Sequence, residues 1–229
     1  MKKKIYYEYD NLTGTSIGVE YEKYLHQSQS KYQYIEIIYS RNYGNVMYLD
    51  GCFMLSEKNQ HYYHDECISL IPSSAKNLLV IGGGDNAIAS RLATKKEVSS
   101  IEVVEIDIDV VNVSKKYFPR HFKISSKSTD KINLVVQDGM HYIKNSLKKF
   151  DCIVIDSTDP VDSSRVLFSK LFLEKCFKAL RSGGLIIQQS GSPIKDVDHI
   201  INPLKRKYKS IGFRNINLHC FPMPLYPTG

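Results

Sequence analysis

The sequence predicts an α/β protein: a mainly parallel sheet with helices on both faces, preceded by a small N-terminal antiparallel β-domain. Three observations carry this. From residue 77 onward, five short apolar runs alternate with helix-patterned stretches. Each run is continuously apolar, as strands buried on both faces are. Before residue 56 the pattern is instead alternation broken by hairpin turns. The division this predicts is a β-domain over 1–56 and an α/β domain over 57–229.

In the first segment Tyr34-Ile35-Glu36-Ile37-Ile38-Tyr39 alternates, Asn42-Tyr43-Gly44-Asn45 turns the chain, and Val46-Met47-Tyr48-Leu49 returns. Asp50-Gly51 is a strong two-residue hairpin signal, after which Cys52-Phe53-Met54-Leu55 forms the next strand. Residues 57–71 read as a helix that Pro72 stops. Strands are predicted at 78–81, 101–104, 132–136, 152–155 and 185–188. Helices are predicted at 85–95, 108–117, 139–147, 167–181 and 195–210. Neither an internal repeat nor a low-complexity segment interrupts this order.

A hydrophobic share of 42% and a charged share of 24% place the chain among ordinary globular proteins rather than disordered ones. No apolar run approaches the roughly 18–20 residues that span a bilayer, so no membrane partner is expected. Lys2-Lys3-Lys4 is followed by no apolar h-region, so no signal peptide is expected. The five cysteines are widely spaced and lack a Cys-x-x-Cys pair, which fits reduced thiols in a cytoplasmic protein. The net charge of +7 raises the question of nucleic acid. The lysines are scattered, however, and Lys205-Arg206-Lys207 falls on the solvated face of a helix, so no nucleic-acid partner is expected.

The chemistry gathers after the strands. "VIGGGDNA", residues 80–87, follows the first parallel strand and opens a helix. Gly82 and Gly84 permit a tight turn and close approach to a ligand, and the stretch formally fits G-x-G-x-x-A. Asp85 sits where a pyrophosphate would rest and would repel it, although it also serves as an ordinary helix N-cap. Glu105 follows the second strand, at the place where an acid takes both hydroxyls of an adenosine ribose. Asp138 follows the third strand and Asp156 ends the fourth, with Asp159 three residues on and Pro160 fixing the loop. An acidic crevice in a basic protein calls for a cation. A glycine loop and a ribose acid without phosphate binding call for a bare adenosine. An S-adenosyl sulfonium compound meets both demands, and Asp85 would favour the decarboxylated form over one bearing an α-carboxylate. His61-x-x-His64 lacks the spacing and neighbours of a metal pair, and no metal is expected. Asp107 and Asp109 read as first-turn helix residues.

The ordered set "KYQYI" (31–35), "YGNVMYLDG" (43–51), "YYHDE" (62–66), "VIGGGD" (80–85), "VEID" (104–107), "QDGM" (137–140), "DSTDPV" (156–161) and "YPTG" (226–229) resembles the polyamine aminopropyltransferases, the spermidine synthases in particular. The resemblance implies a short N-terminal β-domain followed by a Rossmann-like domain of methyltransferase type, assembled as a homodimer or homotetramer. It implies that Gln33, Glu105 and Asp138 bind decarboxylated S-adenosylmethionine as co-substrate, with Gly82, Gly84 and Gly139 in the turns around it. Asp85 would hold the aminopropyl arm. Tyr63, His64, Asp159 and Tyr226 would line the diamine channel, and Asp156 would contact the amine and act as base. No prosthetic group is implied. The implied reaction gives spermidine and methylthioadenosine from putrescine. Transfer to cadaverine, agmatine or spermidine, methyl transfer, and a non-catalytic polyamine- or nucleoside-binding protein remain alternatives.

The sequence departs from the family pattern at three places. Asp162-Ser163-Ser164-Arg165 replaces a customary Gly-Pro-Ala-Glu gate, placing Arg165 unexpectedly near a cationic substrate. Asn86-Ala87 replaces a pair of glycines. The sequence given stops at Gly229, where typical members continue into another strand. An open sheet edge, pairing with a partner or marginal stability, is the expectation there.

Overall fold

The structure, a computed structural model, describes residues 4–10, 13–160 and 162–226. Lys2 and Lys3, Val161 of "DSTDPV" and the last three residues of "YPTG" lie outside the described residues. The chain opens with β1 (Lys4–Asp10) and β2 (Thr15–Tyr21), an antiparallel hairpin. Next come β3 (Lys23–Gln29), β4 (Tyr34–Ser40), β5 (Gly44–Leu49) and β6 (Cys52–Ser56), an antiparallel four-stranded sheet in that order. Helix α1 (His61–Leu70) leads out of it.

The second part alternates as its sequence pattern requires. Its elements are β7 (Asn77–Gly82), α2 (Ala87–Ala93), β8 (Ser100–Glu105), α3 (Ile108–Tyr117), α4 (Ser126–Thr129), β9 (Ile132–Val136), α5 (Gly139–Asn145), β10 (Phe150–Asp156), α6 (Lys170–Ala179), β11 (Leu180–Gln188) and α7 (Asn202–Ile211). The five strands form one parallel sheet in the order β11-β10-β7-β8-β9. From β7 the chain winds outward through β8 to β9, then returns to start β10 on the other side. This reversal makes the carboxyl ends of β7 and β10 the topological switch point, where open α/β sheets bind ligands.

Both faces are covered, which is why the strand sequences are continuously apolar. Leu78 and Val80 of β7 pack with Ile88 and Leu92 of α2, whereas Leu79 and Ile81 pack with Phe172 and Leu173 of α6 and Leu204 of α7. These four β7 side chains are at most 1% exposed.

The N-terminal sheet is larger than its sequence suggests. Strands β1, β2 and β3 are rich in tyrosine and polar residues, and most of their side chains are exposed or half-buried. Backbone pairing joins β1 to β2 and β3 to β4, and Glu36, a buried acid on β4, adds side-chain ties. Glu36 accepts from the Tyr6 hydroxyl at 2.6 Å and from the Tyr24 hydroxyl, tying β1 and β3 to β4. One face of the sheet, through Ile35, Ile37 and Met47, packs on Val110, Val113 and Phe118 beside α3. The other face, through Ile38, Val46 and Tyr48, receives Met223, Leu225 and Tyr226 of the C-terminal segment.

Several expected helices differ in extent. The helix expected over 57–71 begins only at His61, because Glu57 and Lys58 are still tied by backbone bonds to Asn45 and Tyr43. The one expected at 167–181 splits. A 3-10 helix covers Asp162–Phe168, then Ser169 caps α6 by accepting from the Phe172 N–H at 3.2 Å, and β11 begins at Leu180. The last expected helix, 195–210, starts as a single π-turn, Val197–Ile201, and continues as α7 to a left-handed Gly212.

Candidate functional site

The ends of β7, β8 and β10 open into a cavity of about 1100 Å³ that continues along β11 and the segment 213–226. Its geometry begins with Gly82. A Cβ there would lie 2.0 Å from the Asp156 carbonyl oxygen, and φ is +82°, a conformation reserved for glycine. The ends of β7 and β10 therefore touch, and the Gly83 N–H donates to that same carbonyl at 3.0 Å. This contact fixes the Asp156 backbone at the switch point.

The Asp156 carboxylate receives the Tyr63 hydroxyl from α1 at 2.7 Å on Oδ1. Burial and the neighbouring Asp85 push its carboxyl up to about 6, against the opposing pull of His64 and Tyr63. Asp85 uses Oδ1 to accept from the Ala87 N–H at 3.1 Å, so it does help to start α2. Its other oxygen, Oδ2, is buried and has no hydrogen-bond partner among the described residues. Two imidazoles face that oxygen: His64 Nε2 and His121 Nδ1, each at 3.6 Å. Burial raises the Asp85 carboxyl, and His121 pulls it back.

His64 is 4% exposed, with Nδ1 2.5 Å from Gln60 Oε1. Burial lowers its imidazole to about 4, leaving it neutral at physiological pH. His64, Asp85 and Asp156 each offer one ligand atom, all within 4.8 Å of one another. Two carboxylates and a neutral imidazole at such distances suit a cation, whether an ammonium or a divalent metal.

On the side of β8, Glu105 is buried, with Gly84 against it. Its Oε1 accepts from the Asp107 N–H at 2.9 Å, and burial drives its carboxyl up to about 7. Asp138 caps α5 by accepting from the His141 N–H at 2.7 Å, with Gly139 next to it. Gln33 reaches this region from the loop before β4. Its Nε2 donates to Asp107 Oδ2 at 2.9 Å, and the Ser30 hydroxyl donates to the same oxygen at 2.6 Å. Asp107 thus does more than its expected first-turn duty. It caps α3 through Oδ1, accepting from Asp109 N–H at 3.0 Å, and uses Oδ2 to draw the turn before β4 onto the connection between β8 and α3.

On the side of β11, Asp159 accepts from the Tyr226 hydroxyl at 2.8 Å and from Gln189 Nε2 at 3.1 Å. Beyond them the cavity is lined by Glu8, which accepts from the Phe53 N–H at 3.0 Å, and by Asp10, which holds Lys195 Nζ at 2.8 Å. All the residues singled out from sequence therefore surround one cavity. Gly82, Asp85, Asp156, Tyr63 and His64 form its centre. Gly84, Glu105, Asp138, Gly139 and Gln33 lie to one side, and Asp159 and Tyr226 to the other. Sequence reasoning missed Gln60, His121, Asp107, Gln189, Glu8, Asp10 and Lys195. Gln189, the first residue after β11, obeys the same strand-end rule as the acids and was open to discovery by it.

Arg165, expected near the cationic substrate, lies elsewhere. Arg165 is exposed on the 3-10 helix and lines a separate hollow with His199 and Lys207 rather than the cavity. Ser164 turns that helix by donating to the Asp159 carbonyl.

Comparison with known proteins agrees with this arrangement. Residues 60–229 match the family described as Spermine/spermidine synthase domain, and residues 5–57 match Spermidine synthase tetramerisation domain. A polyamine aminopropyltransferase of Methanocaldococcus jannaschii is 37% identical over 227 residues, covering 97% of this chain and 75% of that protein. One from Thioalkalivibrio sulfidiphilus is 36% identical over 219 residues, covering 94% and 77%. A solved spermidine synthase in complex with the transition state analogue AdoDATO aligns with a TM-score of 0.79 at 27% identity, covering 92% of this chain and 72% of that one. The spermidine synthase of Thermotoga maritima aligns at 0.76 and 26% identity, covering 92% and 70%. Among the described residues no helix is long and apolar enough to cross a membrane. The fold is the Rossmann-like, mainly parallel sheet with a small antiparallel N-terminal part, and the chain belongs to the spermine/spermidine synthase family of aminopropyltransferases.

Proposed function

We propose that this enzyme moves the aminopropyl group of decarboxylated S-adenosylmethionine to putrescine, releasing spermidine and methylthioadenosine. The observation that carries the reading is the pair Asp85 and Asp156, two largely buried carboxylates beside a neutral His64 at the switch point. Such a site favours a cation, and a sulfonium compound with an ammonium arm brings two positive charges. The buried, unpartnered Oδ2 of Asp85 takes the arm's ammonium. Glu105 takes the ribose hydroxyls, with Gln33, Asp138 and the turns at Gly82, Gly84 and Gly139 around the nucleoside.

Tyr63, His64, Asp159 and Tyr226 line the amine channel. A protonated amine has no lone pair, so it must lose a proton before it can attack. Asp156, raised toward neutrality, accepts that proton while Tyr63 holds its other oxygen. The amine nitrogen then bonds to the aminopropyl carbon beside sulfur, the carbon–sulfur bond breaks, and its electron pair stays on sulfur in methylthioadenosine. A sulfonium leaves without help from a Lewis acid, so the step needs only positioning and proton removal.

The reading further divides the chain into a 1–56 β-domain and a 57–229 catalytic domain, and makes the protein a cytoplasmic homodimer or homotetramer. Incubation with putrescine and decarboxylated S-adenosylmethionine should release methylthioadenosine. No release from any amine by folded protein would overturn the reading. Asp156→Asn should abolish turnover and still bind methylthioadenosine.

A further inference from the structure

The glycine loop at the switch point is clasped from outside by His121, a buried residue that the proposed reaction does not use. His121 ends a short 3-10 helix, Pro119–His121, that follows α3. Its Nδ1 lies 3.0 Å from the Asp85 carbonyl oxygen, and since a carbonyl only accepts, Nδ1 carries the proton and donates. The first bond of α2 runs from the Ser90 N–H to the Asn86 carbonyl at 2.9 Å. The Asp85 carbonyl therefore lies outside the helical ladder and finds its donor in His121. A return bond closes the clasp, with Asn86 Nδ2 donating to the His121 carbonyl at 2.8 Å. Asn86 stands where the family pattern has glycine, with φ +64°. Asparagine tolerates that left-handed backbone and adds a donor that glycine lacks. The Phe118 ring stacks with the imidazole, centroids 6.2 Å apart and planes at 17°.

Asp85 is thus held at two points, its carbonyl by His121 and its Oδ1 by the Ala87 N–H at 3.1 Å. Those bonds leave Oδ2 turned toward His64, whose Nε2 is 3.6 Å away. His64 is neutral and donates from Nδ1 to Gln60 Oε1 at 2.5 Å, so its Nε2 presents a bare lone pair. Two acceptors facing each other need a donor between them, which an ammonium supplies. His121 Nδ1 is also 3.6 Å from Oδ2, but its proton is directed to the carbonyl.

We propose that His121 is a positioning residue for the ammonium arm of the nucleoside co-substrate. Together with Asn86 it locks the loop so that Asp85 Oδ2 stays aimed at the place of that ammonium. The inference rests on the reading of Asp85 given above. An acceptor fixed beforehand binds more tightly because its ordering is not left to the moment of binding. None of the clasp's bonds involves Glu105 or Asp138, so arm recognition is set separately from nucleoside recognition.

Calorimetry with decarboxylated S-adenosylmethionine and with methylthioadenosine, which lacks the arm, reads the arm's contribution as a ratio of affinities. The wild type should favour the decarboxylated compound. His121→Leu should cut that ratio about tenfold while methylthioadenosine affinity stays within about twofold. His121→Asn, whose Nδ2 reaches the place of Nδ1, should restore most of it. Asn86→Gly keeps the left-handed backbone, loses the return bond, and should cut the ratio about threefold. In an Asp85→Asn background, His121→Leu should change the ratio no further, because its effect runs through that carboxylate. A ratio at the wild-type value in His121→Leu, or a further fall on the Asp85→Asn background, overturns the inference. If His121→Leu loses methylthioadenosine binding because it does not fold, Asn86→Gly decides, and an unchanged ratio in it overturns the inference. A wild type that binds both compounds equally fails the reading of Asp85 itself, and the role of His121 falls with it.

Discussion

Replacing Tyr63 by Phe isolates one bond at the proposed base. The hydroxyl donates to Asp156 Oδ1 at 2.7 Å in a largely buried site, and the ring fills the same space without it. A hydrogen bond to a charged group contributes about 1.5–3 kcal/mol. It favours the ionised carboxylate, so its loss raises the Asp156 pKa. At the lower figure the rise is roughly one unit, since each unit corresponds to about 1.4 kcal/mol. The acid limb of kcat/KM for the amine should therefore move from about 6 to roughly 7. Initial rates of methylthioadenosine release, measured from pH 5.5 to pH 9 with the amine well below its KM, resolve this. Near pH 6 the variant should lose most of its rate, and well above pH 8 the loss should shrink as the carboxylate ionises fully. A loss equal at every pH, with the limb unmoved, would refute the claim that Tyr63 acts through the Asp156 ionisation.

Three further outcomes follow from the geometry. Glu105 has its carboxyl raised from 4.5 to about 7 in the folded protein, so folding takes up a proton there and ligand-free stability should fall as pH rises from 4.5 to 7. Glu105→Gln should flatten that slope by about 3 kcal/mol, measured by urea unfolding across the window; an unchanged slope would show that Glu105 is ordinary. Gly82→Ala should cost about 3 kcal/mol or more, because its Cβ would meet the Asp156 carbonyl at 2.0 Å on a left-handed backbone; an unshifted unfolding midpoint would count against that contact. Asp107→Asn keeps a capping oxygen for α3 but weakens the hold on Ser30 and Gln33, so KM for the nucleoside co-substrate should rise about tenfold with a smaller change in kcat. An effect on kcat alone would remove Gln33 from nucleoside binding.

What the sequence disclosed depended on where each residue sits along the chain. The five parallel strands were legible because both faces are buried, so Leu78-Leu79-Val80-Ile81 and Cys152-Ile153-Val154-Ile155 admit no polar residue. The acids were legible because the carboxyl ends of such strands face the crevice, and Glu105 and Asp156 are the last residues of theirs. Strands β1 to β3 were not legible. Their tyrosines satisfy the pairing through Glu36 and neighbouring rings rather than through an apolar stripe. Asp107 meets Gln33 across 74 residues, and Lys195 meets Asp10 across 185, so no local pattern announces either pair. His121 is hidden in a different way, since a short 3-10 helix after α3 brings it beside Asp85.

The packing of Met223, Leu225 and Tyr226 on the N-terminal sheet has a consequence for how such an enzyme changes over evolutionary time. Glu105, Asp156 and the Gly82 turn are welded into the parallel sheet, where almost any substitution disturbs the core as well as the chemistry. The opposite wall comes from a hairpin strand, a post-strand loop and a length of irregular chain, through Glu8, Asp10, Lys195 and Tyr226. Mutations there reshape one wall without entering the core of the parallel sheet. On the proposed reading, nucleoside recognition is thereby frozen while the preferred amine is free to drift, and a new acceptor preference is within reach of a few substitutions on that wall.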